Sequence, residues 1–421
     1  MLEFVHLRNV GPAPEMRFDL ARRLNVLTGD NGLGKSFLLD VAWWALTRTW
    51  ASNVAAPTTP APATIEYVVE GKSKTAQTMT STYRRDDQTW PVDAKRPPMP
   101  GVVVYIRIDG GFSVWDPARN YWRSDRERPA AYHFTAEQVW DGLTLGGERA
   151  CEGLERDWVS WQEGRKPQFQ VLEEVLRVLS PPAEVLRPGP PRRLHLGEGR
   201  DRPTLLIGAQ EVPVALASAG IRRILALAYF LVWAWHEHRV AAELLGKQPE
   251  SRVVVLFDEP ETHLHPRWQR QVLPSVLTAI DALRGSSKEL PQVIAATHAP
   301  LVLASLEPIF DVDQDELFHL AIEGGKLEVQ TGLWAKQGDA SSWLLSDVFG
   351  LHQARSREAE EAIEAAEALM RGDKNALPSR LRTKTAIDGA LKRLLPSHDT
   401  FWPRWIVSGA AKPKKKQAHR R

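Results

Sequence analysis

Gly29-Asp30-Asn31-Gly32-Leu33-Gly34-Lys35-Ser36 has the spacing G-x-x-x-x-G-K-[ST]. Glycines at such positions let backbone N–H groups curl around phosphate oxygens. A lysine there neutralises β- and γ-phosphates, and a serine hydroxyl ligates Mg²⁺. Gly29, Asn31, Gly32, Gly34, Lys35 and Ser36 are therefore the candidate phosphate-binding residues. A second candidate site is Asp258-Glu259, which closes the apolar run Val253–Phe257. Asp258 is placed to hold Mg²⁺ together with Ser36, and Glu259 to orient and deprotonate an attacking water. This pair points to hydrolysis of ATP rather than transfer to a bound hydroxyl. The alternative, two loop carboxylates capping the next segment, stays open. A third apolar run, Val293–Ala296, ends in Thr297-His298. Beside a nucleotide site, His298 can contact the γ-phosphate; taken alone it reads as structural. His263 and His265 sit at i and i+2, but no third ligand is near and Cys151 is distant, so they do not read as a zinc site.

These residues need strands and helices to hold them. Leu24–Leu27 reads as a strand, Gly29–Gly34 as a loop and Ser36–Leu46 as a helix, the context a phosphate loop requires. Val253–Phe257 has five consecutive apolar residues with no polar alternation, as in a parallel sheet covered on both faces. Ala217-Ser218-Ala219-Gly220 opens a long apolar helix ending near Arg239; Ser218 is a good N-cap, and small residues there leave the helix start open to an anion. Trp268–Leu283 reads as a helix, and Leu317–Val329, with Gly324-Gly325, as a hairpin. Ala51–Ala63 reads as a mobile loop, 64–108 as β-rich with a turn at Gly71-Lys72, and 181–205 as loop. Residues 340–400 read as helical, with an amphipathic segment from Ser356 to Met370. Phe112, Trp115, Tyr121, Trp122, Tyr132, Phe134, Trp140, Trp158 and Trp161 cluster between 110 and 180. Core packing is the first reading of such a cluster and base stacking the second.

Composition narrows the class. The 421 residues are 43% hydrophobic and 25% charged, which is globular. Fifty-four Lys and Arg against 52 Asp and Glu leave a formal charge of +2, which excludes a bulk polycation. One cysteine excludes a disulfide framework. No signal peptide and no apolar run of membrane length are evident, so a cytoplasmic protein is expected. Lys412, Lys414, Lys415, Lys416, Arg420 and Arg421 form a basic tail, either solvated or in contact with phosphate backbone. Arg192, Arg193, Arg200 and Arg202 form a second basic loop that could touch DNA or surround the nucleotide. Asp311-Val312-Asp313 has Asp-x-Asp spacing, but too little chain follows it for the corresponding nuclease fold.

The order of phosphate loop, small-residue helix start, acidic strand end and histidine strand end resembles the ABC-type ATPases, specifically the SMC/RecF-like branch of soluble AAA-family ATPases. That resemblance implies an α/β fold: an ABC-type P-loop NTPase head with a β-rich and helical insertion and a C-terminal α-helical extension. The core would be 1–50 and 205–338, the insertion 51–204, a partner-docking helical region 339–411, and the basic flexible tail 412–421. It implies that Ser218 and Gly220 act on the nucleotide of a second copy, so that ATP joins a homodimer or a higher oligomer built from it. Ala219 and Ile221 depart from the usual Leu-Ser-Gly-Gly-Gln. A Mg²⁺-sensing glutamine is also implied, and Gln138 is the candidate. Asp258-Glu259-Pro260-Glu261-Thr262-His263-Leu264-His265-Pro266 is similar to the form in RecF-like and overcoming-lysogenization-defect ATPases. Ser342–Leu351 with the acidic helix after it resembles Septu-type and retron-associated antiphage ATPases, which work with a separate HNH nuclease. The function implied is an ATP-hydrolysing switch of a prokaryotic defence complex controlling a nuclease partner. A RecF-like ATP-gated DNA clamp is the alternative. No long heptad block separates Ser36 from Ser218, so the SMC coiled coil is absent.

Overall fold

The computed structural model describes residues 1–70, 78–92, 99–121, 129–285, 287 and 289–410. The turn at Gly71-Lys72, Trp122 and the basic tail 412–421 lie outside these residues. The chain divides into two compact units, Met1–Trp343 and Leu344 onward.

The first unit begins with β1 (Leu2–Arg8), β2 (Glu15–Asp19), β3 (Leu24–Gly29), α1 (Lys35–Thr47), β4 (Thr64–Val69) and β5 (Met79–Thr82). It continues with β6 (Val102–Ile106), β7 (Phe112–Trp115), β8 (Tyr132–Phe134), α2 (Ala136–Asp141), β9 (Leu143–Leu145) and β10 (Glu148–Cys151). Next come α3 (Leu154–Glu163), α4 (Pro167–Leu179), β11 (Arg187–Arg192), β12 (Arg202–Ile207), β13 (Gln210–Pro213) and α5 (Ala219–Leu244). The last elements are β14 (Val253–Asp258), α6 (Pro266–Gln269), α7 (Val272–Arg284), β15 (Gln292–Ala296), α8 (Pro300–Leu306), β16 (Asp315–Glu323) and β17 (Lys326–Gln330).

The centre is an eight-stranded sheet in the order β17-β16-β3-β15-β14-β6-β7-β8. Strands β16, β3, β15, β14 and β6 run parallel, so their C-terminal ends share one edge. β3, β14, β15 and β6 are buried along their whole length, which is why their sequences are mostly apolar and do not alternate with polar residues. A second sheet, β2-β1-β4-β5, is antiparallel. α1 packs on both sheets and is buried nearly all round, carrying Trp43 and Trp44 into one core with Leu7, Phe18, Tyr67, Tyr105 and Val254. α5 covers the opposite face over β6, flanked by α4 and α7. Among the described residues, Phe112, Trp115, Tyr132, Phe134, Trp158 and Trp161 of the aromatic cluster are core: Phe112 stacks on Phe230 at 4.4 Å, Trp161 on Tyr229 at 5.6 Å, and Phe134 meets Trp233 edge-on at 5.4 Å.

Several elements differ from the sequence expectation. β6, β7 and β8 lie within 51–204 yet belong to the central sheet, so that stretch supplies part of the core. The 181–205 stretch is not all loop: Arg187-Pro188-Gly189-Pro190-Pro191-Arg192 is a strand. It stands at the edge of the sheet β11-β12-β13, where the missing proline N–H groups cost no central ladder bond. The 51–63 segment is tied down rather than loose. Asn9 Nδ2 donates to the Ala61 carbonyl at 2.6 Å, Thr59 Oγ1 donates to Asn9 Oδ1 at 2.8 Å, and Trp90 Nε1 donates to the Ala55 carbonyl at 2.8 Å. The helix expected over Trp268–Leu283 is two helices, α6 and α7, broken at Arg270-Gln271. The β16–β17 hairpin turns at Gly324 and Gly325, with φ of 55° and 78°, as a two-residue loop with left-handed residues requires.

The second unit contains α9 (Arg357–Arg371), α10 (Lys384–Leu394) and α11 (Phe401–Ala410) around its own apolar core. α9 is capped by Ser356, whose hydroxyl accepts from Ala359 N, and it stops at Gly372 in the left-handed region. Glu358 and Glu360 in its first turn and Arg371 in its last oppose the helix dipole. Ala359, Ala362, Ile363 and Ala366 face α10 residues Ile387 and Leu391 in that core.

Candidate active site

The phosphate loop joins β3 to α1. Gly29, Gly32 and Gly34 have φ of 136°, 83° and 89°, which L-residues avoid. A Cβ on Gly29 would lie 2.3 Å from the Leu320 carbonyl, and one on Gly34 would lie 2.7 Å from Pro12, so two of these glycines are also fixed by contact. Asn31 is exposed at the loop tip. The Lys35 ammonium donates to the carbonyls of Gly29 at 2.7 Å and Asp30 at 2.9 Å, which spans the loop. Burial lowers its pKa, and the Glu259 and Asp258 carboxylates oppose the shift.

β15 lies between β3 and β14. The ends of β3 and β14 are therefore about 10 Å apart, two strand spacings. Asp258 is buried at the end of β14, with the Ser36 hydroxyl near enough to act on the titration of its carboxylate. Burial raises the Asp258 pKa from 3.8 to about 6; the Ser36 hydroxyl pulls it back and Glu259 pushes it up. One carboxylate oxygen, Oδ1, is buried without a hydrogen-bond partner. A buried carboxylate oxygen with no donor, beside a serine hydroxyl, fits the hard oxygen ligation of Mg²⁺. Asp258 and Ser36 are thus the residues that would hold the ion.

Glu259 follows with φ 46°, a left-handed conformation rare outside glycine. Its N–H donates to the Ala296 carbonyl at 2.9 Å, and its Oε2 accepts from Thr262 Oγ1 at 3.3 Å. Its Oε1 lies 3.2 Å from Nδ1 of His298, which is half exposed. The two candidate catalytic residues therefore meet directly.

Two residues of this site were not singled out from the sequence. Glu261 is buried, and its Oε1 accepts from Thr297 Oγ1 at 2.8 Å and from the His298 N–H at 3.0 Å, fixing the end of β15. The signal was present, since Glu261 lies two residues after Glu259. Arg223, in the second turn of α5, donates to the carbonyls of Asp258 at 3.0 Å and Glu259 at 3.1 Å.

The remaining candidates stand elsewhere. Ser218 caps α5, its hydroxyl accepting from Ile221 N. Gly220 packs against the turn after β14, where a Cβ would meet the His263 carbonyl at 2.6 Å. Among the described residues no hydrogen bond joins either of them to the loop 29–36 of the same chain. Gln138 departs from its expected part. It is the third residue of α2, where it forms a capping box with Thr135, accepting from Thr135 N at 2.9 Å. α2 follows edge strand β8, and β6 and β7 intervene before β14. The loop next to Asp258 on that side, after β6, carries Arg107 and Asp109 instead. Asp311 and Asp313 precede β16, at the N-terminal end of a strand parallel to β3 and so at the opposite edge from the phosphate loop. Each arginine of the basic loop is ion-paired: Arg192 with Glu211, Arg193 with Asp201, Arg200 with Glu155, and Arg202 with Glu155 and Glu198. His265 caps α6. Among the described residues no helix is long and apolar enough to cross a membrane.

Residues 207–304, which span α5, β14, the acidic pair and the His298 strand, match the family described as "AAA domain, putative AbiEii toxin, Type IV TA system". That stretch of the chain is similar to an AAA-class domain. A relative from Escherichia coli, "Retron Ec83 probable ATPase", is 31% identical over 100 residues. Those residues are 24% of this chain and 15% of that relative, so the chain spans only a small part of the relative's length. Solved structures similar to the chain include an SMC head bound to the C-terminal winged-helix domain of ScpA, at TM-score 0.42 and 13% identity over 78% of this chain and 97% of that one. The recombination mediator RecF with ATP is similar at TM-score 0.38 and 12% identity, over 78% of this chain and 97% of that one.

Proposed function

We propose that the ATPase head is an ATP-hydrolysing switch in a prokaryotic defence complex, closing as a homodimer around ATP and controlling a nuclease partner. One observation carries the hydrolytic part: the phosphate loop, the metal-binding carboxylate, Glu259 and His298 converge on one edge of one sheet. The amides of Gly29–Lys35 and the Lys35 ammonium would bind the phosphates. Mg²⁺ held by Ser36 and Asp258 would neutralise charge on the β- and γ-phosphates. Glu259 accepts a proton from the attacking water, and His298, held against Glu259 and Glu261, hydrogen-bonds the γ-phosphate. Ser218 of a second copy would complete each site, consistent with its exposure at the start of α5. The match to the retron ATPase supports the defence setting, and the separately cored unit from Leu344 onward supports a docking role for an HNH-type nuclease. The internal pairing of Arg192, Arg193, Arg200 and Arg202 leaves the tail 412–421, outside the described residues, as the candidate DNA contact.

The test is Glu259→Gln in purified protein. It should abolish phosphate release and leave a dimer that persists in ATP–Mg²⁺, seen by light scattering after size exclusion. A variant that stays monomeric at saturating ATP removes the sandwich, and one that still hydrolyses ATP removes Glu259 as the base.

A further inference from the structure

We infer that Arg223 is a positioning residue that holds Glu259 in its left-handed backbone conformation from the opposite face of the sheet. The inference rests on the hydrolytic reading above and adds a residue to it. The geometry is specific. α5 lies on the face opposite α1, and its Arg223 reaches the C-terminal ends of two adjacent strands. The guanidinium donates to the carbonyls of Asp258 at 3.0 Å and Glu259 at 3.1 Å, and more weakly to that of Ile108, in the loop after β6, at 3.4 Å. Three backbone carbonyls from two strand ends thus converge on one planar cation, which offers five donors in a fixed fork. The carboxylates of Asp258, Glu261, Glu259 and Asp109 act on the same charge.

Glu259 has a reason to need such a clamp. Its φ of 46° is a left-handed conformation sterically disfavoured for an L-residue. Residues in that state persist only where surrounding bonds over-determine them. Here the N–H side of Glu259 is fixed by the Ala296 carbonyl, while its carbonyl side accepts from Thr262 N and from Arg223. Removing the guanidinium takes this donor from the Asp258 carbonyl and leaves the Glu259 carbonyl with Thr262 N alone, so the peptide after Glu259 can rotate toward an ordinary strand conformation. The carboxylate would then leave His298. Nucleotide binding does not pass through this contact, because Arg223 makes no hydrogen bond to the loop 29–36.

The test uses the full chain with Arg223→Met, which keeps an apolar stem, and Arg223→Lys, whose ammonium can bridge two neighbouring carbonyls. Arg223→Met should lower kcat by about 10- to 100-fold with KM for ATP held within about twofold, and Arg223→Lys should recover part of kcat. In nucleotide-free protein, the Thr262 amide should exchange with solvent about tenfold faster in Arg223→Met, as expected for a locally released turn. Wild-type kcat in Arg223→Met, a loss confined to KM, or unchanged amide exchange would each overturn the inference. If wild-type protein itself releases no phosphate, the hydrolytic reading fails, and the exchange measurement alone decides whether Arg223 holds this turn.

Discussion

At Asp258, burial and the proposed metal binding pull in opposite directions. The native state holds the Asp258 proton more tightly than the unfolded chain does, because its pKa is raised to about 6 from 3.8. Stability contributed by this group therefore falls as pH rises from about 4 to about 6, and the full penalty persists above that. In metal-free, nucleotide-free protein, Asp258→Asn should stabilise the fold at pH 7.5 by at most about 3 kcal/mol, and the gain should vanish near pH 4. Urea melts in chelator at both pH values check this. The same variant should lose Mg²⁺-dependent phosphate release, so a residue that destabilises the empty fold serves the occupied one. Lys35 has the opposite character. Its ammonium already spans the loop through two carbonyls, and Lys35→Ala should remove ATP binding in calorimetry while leaving the melting profile nearly intact. Unchanged ATP affinity would overturn the phosphate-loop assignment.

At the scale of elements, what was legible depended on whether the signal was local. The phosphate loop, the acidic strand end and the histidine strand end could be placed because each follows a short, mostly apolar run, continuous in Val253–Phe257 and Val293–Ala296 and interrupted only by Asn25 before the loop. β11 was not legible, because three prolines argue against a strand until its edge position is known. The broken helix at Arg270-Gln271 also escaped the reading, since its apolar periodicity runs on across the break. Arg223 was hidden for a different reason. Arg222 and Arg223 are neighbours, and only the helix phase against β14 decides which enters the site; Arg222 instead lies 4.6 Å over the Trp140 ring. Gln138 has a local part that the sequence reading did not foresee, the capping box with Thr135. The approach of α5 to the turn after β14 gives a prediction of unusual sign. Gly→Ala in a helix normally stabilises by about 0.5–1 kcal/mol. Gly220→Ala should instead destabilise by about 1–3 kcal/mol, because the new methyl meets the His263 carbonyl. Chemical denaturation measures the sign, and a stabilised variant would mean that the helix start can move away from the turn.

The whole molecule divides its labour between two cores. The unit from Leu344 onward has its own buried set, including Ile363, Ile387, Leu391, Phe401 and Trp405. Removing residues 344–421 should therefore leave ATP binding and the thermal transition of Met1–Trp343 in place, while the proposed association with a nuclease is lost. Retained association would relocate the docking surface to the head. The central sheet has a further consequence, for how the protein is made. β3, near the N-terminus, is flanked by β15 and β16, both supplied by chain about 260 residues or more downstream. At about 5–20 residues per second, a ribosome takes roughly 13–50 s to deliver the first of those neighbours. During that interval the strand that carries the phosphate loop has neither flank, and an unpaired apolar strand is a site for off-pathway association. A nascent chain that stops before residue 290 lacks the strand that lies between the phosphate loop and its carboxylates. The fold thus confines a complete candidate nucleotide site to chains whose synthesis has passed that point.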